Sequence, residues 1–354
     1  MTRIFLIRHA EAEGNLFRCA QGQYEGLITP RGFAQIKALK KRFEDKQIDC
    51  VYSSDMIRTQ VTSTAITDSR NIPLTITTEL REVCMGNWEG VAWGDIEYLY
   101  PEMCKNFGLD PANWQNEGSE SYENVIKRVT GFINKAAQEH DGQTIALFTH
   151  GFAIRSFLCR LMGYASNESI KLPYCDNTAV ALLTYDNGDF TIEYQGDNSH
   201  LSEDESTFAS QKWWRDESLS YLETENMRYE PLDASRHLML LDKYHAEMGD
   251  KPEAELELAA FFAVKPAGLV GFNIIDDSMG ELEYIFLLPD FRGARFSIQL
   301  LGKVITELRK RKISNLRVKV PKDNPLAFLC KKHGFEIKAE IKERLVLEKN
   351  IRNW

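Results

Sequence analysis

Strand and helix patterns alternate along the first 200 of the 354 residues. Short apolar runs such as "RIFLI" (3–7) and "TIALFT" (144–149) indicate buried strands. The stretch 30–46 begins with proline and carries apolar residues three or four positions apart, which indicates a helix. Because such elements bury their apolar faces against one another, the alternation predicts an α/β domain whose sheet is covered on both faces.

A second strand–helix alternation begins at Met227, after an acidic, serine-rich stretch that includes "SEDES". The chain is too long for one typical domain. We therefore predict two α/β domains, residues 1–202 and 227–354, joined by an acidic linker segment at 203–226. Two hairpins are expected, one around "NGD" at 187–189 and one around "PAG" at 266–268.

Charge and cysteine content exclude several classes of protein. The net charge is −9, and the first 200 residues alone carry 26 acidic against 19 basic side chains, so no basic surface for nucleic acid is expected. The seven cysteines are scattered without a CxxC pair, which is typical of reduced thiols in the cytoplasm. No apolar run is long enough for a signal peptide or a membrane span, and no cluster has metal-binding spacing. A soluble, cytoplasmic protein is expected.

Two apolar strands end in histidine, at Arg8-His9 and at His150. Arg58 follows another short strand and Glu82 lies in "LREVCMGNWEG". Carboxyl ends of strands are where α/β sheets place ligand sites. A neutral imidazole attacks phosphorus, arginines bind phosphate oxygens, and a carboxylic acid can protonate a leaving alkoxide. These residue types therefore favour phosphoryl transfer, with strand-end histidines in an inactive protein as the alternative.

The ordered motifs "LIRHAEAEGN", "SSDMIRT", "LREVCMGNWEG" and "FTHGFAIR" resemble the histidine phosphatase superfamily, whose phosphoglycerate-mutase-like fold is a three-layer α/β domain. The resemblance covers roughly residues 1–201. It implies a phosphatase that needs no cofactor or metal, with His9 as the phosphorylated nucleophile and Glu82 as the proton donor. The implied phosphate-binding residues are Arg8, Asn15, Gly22, Arg58, His150 and Gly151.

Departures from the family pattern bear on the reaction. Ala10 replaces a frequent glycine, and Ala12 removes a hydroxyl expected near the phosphate. The compact "EVCMGNWEG" resembles the phosphatase branch and not the mutase branch, so hydrolysis is favoured. The loops at 84–122 hold several tryptophans and carboxylates, which suggests an acidic lid. Such a lid suits a small phosphorylated metabolite that bears an amine; a phosphoprotein substrate is the alternative.

The second half resembles the GNAT acetyltransferases. "LLPDFRGARFSIQLL" is a strand, a turn and a helix start, where free backbone N–H groups can bind a pyrophosphate. "NPLAFLCKKHGF" is similar to the segment around the pantetheine arm of the cofactor. The resemblance implies a GNAT-like α/β domain that uses acetyl-CoA to acetylate a small amine. The implied cofactor-binding residues are Arg292, Gly293, Ala294, Arg295, Phe296, Ser297 and Asn324.

Departures from the GNAT pattern leave its chemistry open. Arg295 and Ser297 stand at the two glycine positions of the family's turn, and Cys330 stands where many members have a tyrosine that protonates the departing thiolate. Glu283 is the candidate base for the amine. The alternative is a degenerate domain that binds a partner, a ligand or only the phosphatase.

Overall fold

The structure, a computed structural model, describes residues 1–68, 70–209, 226–293 and 296–353. Its residues divide into two compact units. The first contains residues 1–13, 20–89 and the described part of 100–221; the second contains 14–19, 90–99 and the described part of 222–354. Most of the expected linker, 210–225, lies outside the described residues, so the linker and its boundaries stay predictions.

The first unit is built on a six-stranded sheet with the strand order β3-β2-β4-β1-β5-β6. The strands are β1 (Thr2–Arg8), β2 (Cys50–Ser54), β3 (Leu74–Thr77), β4 (Thr144–Thr149), β5 (Val180–Asp186) and β6 (Asp189–Asp197). Four longer helices of this unit are α2 (Pro30–Phe43), α3 (Ile57–Thr67), α6 (Tyr122–Glu139) and α7 (Gly151–Leu161), and α5 (Pro101–Leu109) is shorter. Helix α1 (Glu13–Phe17) begins in the first unit and ends in the second.

Strand β1 occupies the centre of this sheet because its residues Ile4–Ile7 are all buried. It pairs in parallel with β4, from Arg3 opposite Thr144 to Arg8 opposite Thr149. On its other edge it pairs antiparallel with β5. The predicted hairpin around "NGD" is confirmed, since β5 and β6 are antiparallel neighbours joined at 187–188.

Helix starts follow local chemistry in the sequence. Thr29 caps α2 by accepting a hydrogen bond from the Gly32 N–H, and Pro30 occupies the first helical position. Ser121 caps α6 through the Asn124 N–H. In the part of the chain that the structure describes, no helix has both the length and the apolar composition to cross a bilayer.

The second unit is built on a seven-stranded sheet with the order β12-β13-β11-β10-β9-β8-β7. Its strands are β7 (Met227–Pro231), β8 (Leu256–Phe262), β9 (Lys265–Asp276), β10 (Met279–Leu287), β11 (Asn315–Pro321), β12 (Glu336–Ile341) and β13 (Arg344–Asn350). Its helices are α4 (Trp93–Leu99), α8 (Leu238–Met248), α9 (Phe296–Lys310) and α10 (Pro325–Lys332). Phe17 and Cys19 belong to the apolar core of this unit.

The second predicted hairpin is present, but the prediction that its turn lies at "PAG" is wrong. The turn falls at Ala263 and Val264, and Ala263 has a positive φ of 52°. Pro266–Gly268 lie inside β9 instead. Gly268 is needed for packing there, because a Cβ at this position would lie 2.2 Å from the carbonyl oxygen of Phe286 on β10.

Strands β10 and β11 are paired for only part of their length. Their parallel pairing runs from Met279–Asn315 to Leu282–Val318 and does not continue within the described residues. Beyond this point β10 remains paired with β9 and β11 with β13. The two strands therefore part at their carboxyl ends, where α9 and α10 begin.

Replacing each of two helical glycines of the first unit by alanine is expected to change the free energy of unfolding in opposite directions. A Cβ on Gly32 would lie 2.2 Å from the Glu11 carbonyl oxygen, whereas nothing lies within 4 Å of one on Gly131. We expect Gly32→Ala to lower the free energy of unfolding by about 1–3 kcal/mol. Gly131→Ala should raise it by about 0.5–1 kcal/mol, because alanine is the better helix former. Urea unfolding followed by circular dichroism measures both, and shifts of the same sign would contradict the packing.

Candidate active site

His9 follows β1 and is almost fully buried. Its backbone N–H donates to the Thr149 carbonyl at 3.0 Å, and its ring Nδ1 lies 2.7 Å from the Ala10 carbonyl oxygen. Since a carbonyl can only accept, Nδ1 carries the hydrogen and Nε2 keeps its lone pair in the neutral ring. Burial, and then the charges of Arg58 and Arg8, lower the pKa of His9 well below its usual value. The ring is therefore neutral and presents Nε2 as a nucleophile.

His150 follows β4 and lies beside His9, with ring centroids 5.3 Å apart. Its Nδ1 accepts a hydrogen bond from Arg58 Nε at 3.2 Å, so Nε2 carries the hydrogen and donates to Ser54 Oγ at 3.0 Å. Burial in the first place and Arg58 in the second lower its pKa well below the usual value. Both histidines are thus neutral, with opposite tautomers.

Arg58 lies in the first turn of α3 and is completely buried. Besides His150, its guanidinium donates to the carbonyl oxygens of Tyr24, at 3.0 Å, and of Gly22. These bonds use three of the five N–H groups that a guanidinium carries. Arg58 therefore brings a fixed positive charge to the two histidines and holds the loop at 22–24.

Arg8 places a second guanidinium next to the start of α7. One terminal nitrogen donates to the Cys175 carbonyl. Its buried Nε has no hydrogen-bond partner among the described residues, and it lies 3.2 Å from where a Cβ on Gly151 would be. A buried cationic N–H without an acceptor is costly, so this group is suited to an anion that binds here.

Glu82 lies at the amino end of α7. Its Oε1 accepts from the N–H groups of Val83 and Ala153 at 3.1 and 3.0 Å, and its Oε2 accepts from the Phe152 N–H at 3.1 Å. Arg128 donates to the Glu82 carbonyl at 3.0 Å and so fixes its backbone as well. Each carboxyl oxygen can take part in two hydrogen bonds, so Oε2 keeps room for a proton.

Glu89 supports the site and was not expected from the sequence. Its carboxylate accepts from the backbone N–H groups of Gln23, Tyr24 and Met85, at 2.9, 2.6 and 2.8 Å. Burial raises its pKa. Gly22 has a φ of +43°, and a Cβ there would lie 2.4 Å from Glu89 Oε1, so both the backbone conformation and the space favour glycine. The sequence signal that could have identified Glu89 is an acidic residue next to a tryptophan in "NWEG".

The structure brings most of the predicted phosphatase residues together. Hydrogen bonds or close contacts within the first unit link Arg8 to Gly151, and Arg58 to Gly22 and His150, while His9 lies beside His150. Glu82 is bonded to the N–H groups of the first turn of α7, which begins at Gly151. Asn15 lies half-buried in α1, in a segment that groups with the second unit, and its place in a phosphate site stays a prediction. The roles of Gly22 and Gly151 toward phosphate stay predictions too.

The second unit presents a different candidate site, where β10 and β11 part. Its turn includes Gly293 with a φ of +77°, and Ser297 lies half-buried in the first turn of α9. Asn324 caps α10 by accepting from the Leu326 N–H at 2.8 Å. Helix N-termini with free N–H groups suit a pyrophosphate. Ala294 and Arg295 lie outside the described residues.

Other predicted residues of this site have structural contacts. Arg292 donates to the Leu287 carbonyl at 2.8 Å and pairs with Glu247 at 2.6 Å. Phe296 packs in the core with its ring 5.6 Å from that of Phe291. Cys330 is fully buried, which raises the pKa of its thiol to about 12. Glu283 lies at a bulge in β10 and accepts from Asn273 Nδ2 at 2.8 Å.

Two family models match different parts of the chain. Residues 4–198 match the histidine phosphatase superfamily (branch 1). Residues 208–335 match the acetyltransferase (GNAT) family. The resemblances found in the sequence are confirmed for both halves. The predicted alternation of strands and helices is confirmed as two α/β units, each with a sheet of parallel and antiparallel strands.

Several curated relatives of the first half are named as phosphatases. Phosphoserine phosphatase 1 of Hydrogenobacter thermophilus is 29% identical over 187 residues, which cover 52% of this chain and 86% of that protein. The metal-independent phosphoserine phosphatase of Arabidopsis thaliana is 27% identical over 205 residues, or 57% of this chain and 84% of that protein. The adenosylcobalamin/alpha-ribazole phosphatase of Salmonella typhimurium is 26% identical over 163 residues, or 45% of this chain and 79% of that protein.

The fold of the first half also matches solved structures. The structure of YhfR from Bacillus stearothermophilus aligns with a TM-score of 0.55 and 26% identity, over 57% of this chain and all of that chain. A phosphoserine phosphatase from Entamoeba histolytica, solved with 3-phosphoglyceric acid, aligns with a TM-score of 0.51 and 22% identity, over 57% and 100%. This second likeness is one of fold alone.

The depressed histidine pKa values predict a loss of stability in acid. Histidines of the unfolded chain have a pKa of about 6.5, so in mild acid they bind protons that His9 and His150 of the folded chain do not bind. The free energy of unfolding should therefore decrease as pH falls below about 6.5. His9→Gln should make this decrease shallower in urea titrations at pH 7.5 and 5.0. The exposed His245 provides the control, and an equal effect of His245→Gln would contradict the assignment.

Proposed function

Because the chain belongs to the histidine phosphatase superfamily (branch 1), we propose that it hydrolyses phosphomonoesters through a phosphohistidine on His9. The observation that carries this proposal is the tautomer of His9. Its Nδ1–H is committed to the Ala10 carbonyl at 2.7 Å, so Nε2 is the atom that attacks. A neutral ring at working pH keeps that lone pair available.

The first step forms an Nε2–P bond and breaks the bond between phosphorus and the ester oxygen. The departing alkoxide needs a proton, and Glu82 at the amino end of α7 is the group that would supply it. In the second step water attacks the phosphohistidine and gives its proton to the Glu82 carboxylate. Phosphate leaves, and Nε2 regains its lone pair.

Positive charge for the phosphoryl oxygens would come from Arg8 and Arg58. Phosphoryl transfer depends mainly on positioning and on charge around these oxygens. Arg58 is held by three hydrogen bonds, and the Arg8 Nε lacks an acceptor among the described residues. His150 would add its Nε2–H, which Ser54 accepts in this structure. The charge is thus in place before substrate binds.

The same residues support hydrolysis without a metal. An imidazole nucleophile and two guanidinium groups supply the attack and the charge stabilisation for which many phosphatases use metal ions. No cofactor is needed for these steps. One relative, from Arabidopsis thaliana, is named as a metal-independent phosphoserine phosphatase.

For the substrate we propose a small phosphorylated metabolite that bears an amine, with phosphoserine as the first candidate. Two of the relatives above are phosphoserine phosphatases. The first 200 residues carry a net charge of −7, which favours an ammonium group over a further anionic group on the substrate. A phosphoprotein is the alternative substrate. We also propose that the enzyme acts in the cytoplasm.

For the second unit we propose binding of acetyl-CoA and acetylation of a small amine. The diverging ends of β10 and β11, flanked by the starts of α9 and α10, fit an extended cofactor with a pyrophosphate. Acetyl-CoA, when bound, supplies an activated acetyl group. Ser297 and the first N–H groups of α9 would hold the pyrophosphate, and Asn324 lies at the other helix start.

The buried Cys330 makes a degenerate second domain the alternative to acetyl transfer. A thiol with a pKa of about 12 holds its proton more tightly than the family's tyrosine, whose usual pKa is about 10. A domain that only binds a ligand, a partner or the phosphatase domain would fit this residue as well.

Phosphatase activity is tested with phosphoserine in the presence of EDTA. We expect turnover by the wild type and a loss of at least about 10³-fold in His9→Ala, because the nucleophile is removed. Rapid quenching in alkali should trap phosphate on the wild type and none on His9→Ala. Equal rates for the two proteins would contradict the proposal.

A matched substrate pair tests the amine preference in the same assay. Phosphoserine and 3-phosphoglycerate differ only in an amine against a hydroxyl at one carbon. If a carboxylate pairs with the ammonium group, kcat/KM should be about tenfold or more higher for phosphoserine, as expected for one charged hydrogen bond. Equal values would remove the amine preference and leave hydrolysis itself supported.

Acetyl-CoA binding is tested by isothermal titration of the full chain with acetyl-CoA. We expect heat from wild type, and at least about tenfold weaker binding in Ser297→Glu than in Ser297→Gln, because a carboxylate in the first turn of α9 would repel the pyrophosphate. The two variants differ in charge but not in shape. An absence of heat with wild type would favour the degenerate domain.

A further inference from the structure

A buried turn at residues 175–179, just before β5, holds the backbone of both Arg8 and His9. Arg8 donates from its guanidinium to the Cys175 carbonyl and from its backbone N–H to the Ala179 carbonyl, the latter at 3.1 Å. The His9 carbonyl accepts from Asn177 Nδ2 at 2.9 Å and from the Thr178 N–H at 3.3 Å. We call this segment the positioning turn.

Thr178 adopts an unfavourable backbone conformation within this turn. Its φ is +59°, and it is fully buried. A β-branched residue is rare in the left-handed region, because its Cβ crowds the backbone. Such conformations persist where the surroundings impose them, and they cluster at functional sites. The surroundings of Thr178 therefore indicate what the strain maintains.

Two further side chains, His200 and Arg42, form a relay that ends at Thr178. Its Oγ1 donates to the Asn177 carbonyl at 2.7 Å and accepts from His200 Nε2 at 3.1 Å. His200 Nδ1 in turn accepts from Arg42 at 3.1 Å, so the hydrogen of its neutral ring is on Nε2. Burial, and then Arg42, lower the pKa of His200 to about 4, which keeps this tautomer near neutral pH.

The other side of the positioning turn is anchored by Asp176. This buried carboxylate accepts from Ser206 Oγ at 2.6 Å and from Asn198 Nδ2 at 3.1 Å. The Ala179 N–H closes the turn on the Asp176 carbonyl at 3.1 Å. The turn is thus fixed from two directions, and its Thr178 N–H and Asn177 amide point at one carbonyl.

His9 is consequently held on both sides of its α-carbon. On the amino side its N–H is bonded to Thr149 of β4, and on the carboxyl side its carbonyl is bonded to the positioning turn. Attack on phosphorus requires Nε2 to lie in line with the leaving oxygen, and small misplacements reduce rates strongly. The backbone that carries the ring is thereby held from both sides, which supports the precise placement that such a reaction needs.

We propose that Thr178 is a positioning residue for His9, and that the relay Arg42–His200–Thr178 sets the orientation of the imidazole for phosphoryl transfer. This inference rests on the proposed phosphatase function. The relay does not touch the phosphate; it acts through the His9 carbonyl. Neither Thr178 nor His200 was singled out from the sequence for such a role.

The test separates the hydroxyl of Thr178 from its shape. Thr178→Val keeps the branched side chain but loses both Oγ1 bonds, and Thr178→Ser keeps the hydroxyl. We expect Thr178→Val to slow formation of the phosphohistidine by about 10- to 100-fold with KM nearly unchanged. Thr178→Ser should restore the rate to within about threefold, since the retained hydroxyl can make the same two bonds. Thr184→Val, in the β5 strand that follows the turn and outside the relay, is the control.

A double-mutant cycle tests the relay itself. His200→Leu should slow the same step, and Thr178→Val combined with His200→Leu should be little slower than either variant alone, because both break one chain of bonds. Additive losses would overturn the relay. Loss of folding without a change in the phosphorylation rate of the folded fraction would overturn the positioning role.

Nuclear magnetic resonance of ¹⁵N-histidine protein separates this inference from the proposed function. The Nδ1 and Nε2 shifts of His9, assigned by comparison with His9→Gln, report its tautomer without substrate. Thr178→Val should change these shifts and Thr178→Ser should not. If the wild type forms no phosphohistidine but these shifts change as stated, the phosphatase proposal fails and the positioning role stands. Unchanged shifts in Thr178→Val would overturn the positioning role.

Discussion

Hydrogen bonding between β1 and β4 sets the distance between His9 and His150, the two histidines of the candidate active site. The strands are parallel and end in register, with Arg8 opposite Thr149, so the next residue on each strand is a histidine. Their rings lie 5.3 Å apart at the carboxyl edge of the sheet. Strand β2, on the other side of β4, ends at Ser54 beside His150 and leads into α3 with Arg58. One register thus assembles groups that are far apart along the chain.

Burial of charge gives this edge of the sheet its chemical character. Arg58 is completely buried, and the half-buried carboxylates of Glu25 and Glu89 lie nearby. Burial raises the pKa of Glu25 and Glu89, while hydrogen bonds from backbone N–H groups and the charge of Arg58 oppose that rise. Buried charges are tolerated when they are paired and hydrogen-bonded. The cations are therefore fixed in direction, which is what an anionic transition state requires.

The sequence predicted the parts of the structure that depend on neighbours along the chain. The "NGD" hairpin is present, and the four ordered motifs lie at one edge of one sheet. The "PAG" hairpin was misplaced because the turn residues here are Ala263 and Val264, whereas Gly268 serves the close approach of β10. A glycine can mark a turn or a packing contact, and the pattern alone does not separate the two.

Short sequence motifs do not predict contacts between residues that are far apart along the chain. The partners of the His9 carbonyl are about 170 residues away, and a threonine with a positive φ has no sequence signal. Likewise, the amino-acid sequence of segments 14–19 and 90–99 does not indicate that they group with the second unit. Such features depend on the complete fold, because only the fold supplies the donors, acceptors and packing that impose them.

The left-handed backbone at Thr178 also has a consequence for protein engineering. Glycine or asparagine would adopt this conformation at lower cost but would give up both Oγ1 hydrogen bonds of Thr178. The relaxed backbone would raise thermal stability, and the loss of the two buried hydrogen bonds would lower it. If Thr178 positions His9 as proposed, such a replacement would also slow the reaction from outside the substrate-contacting residues. The turn at 175–179 is therefore a place where substitutions made for stability should be checked against turnover first.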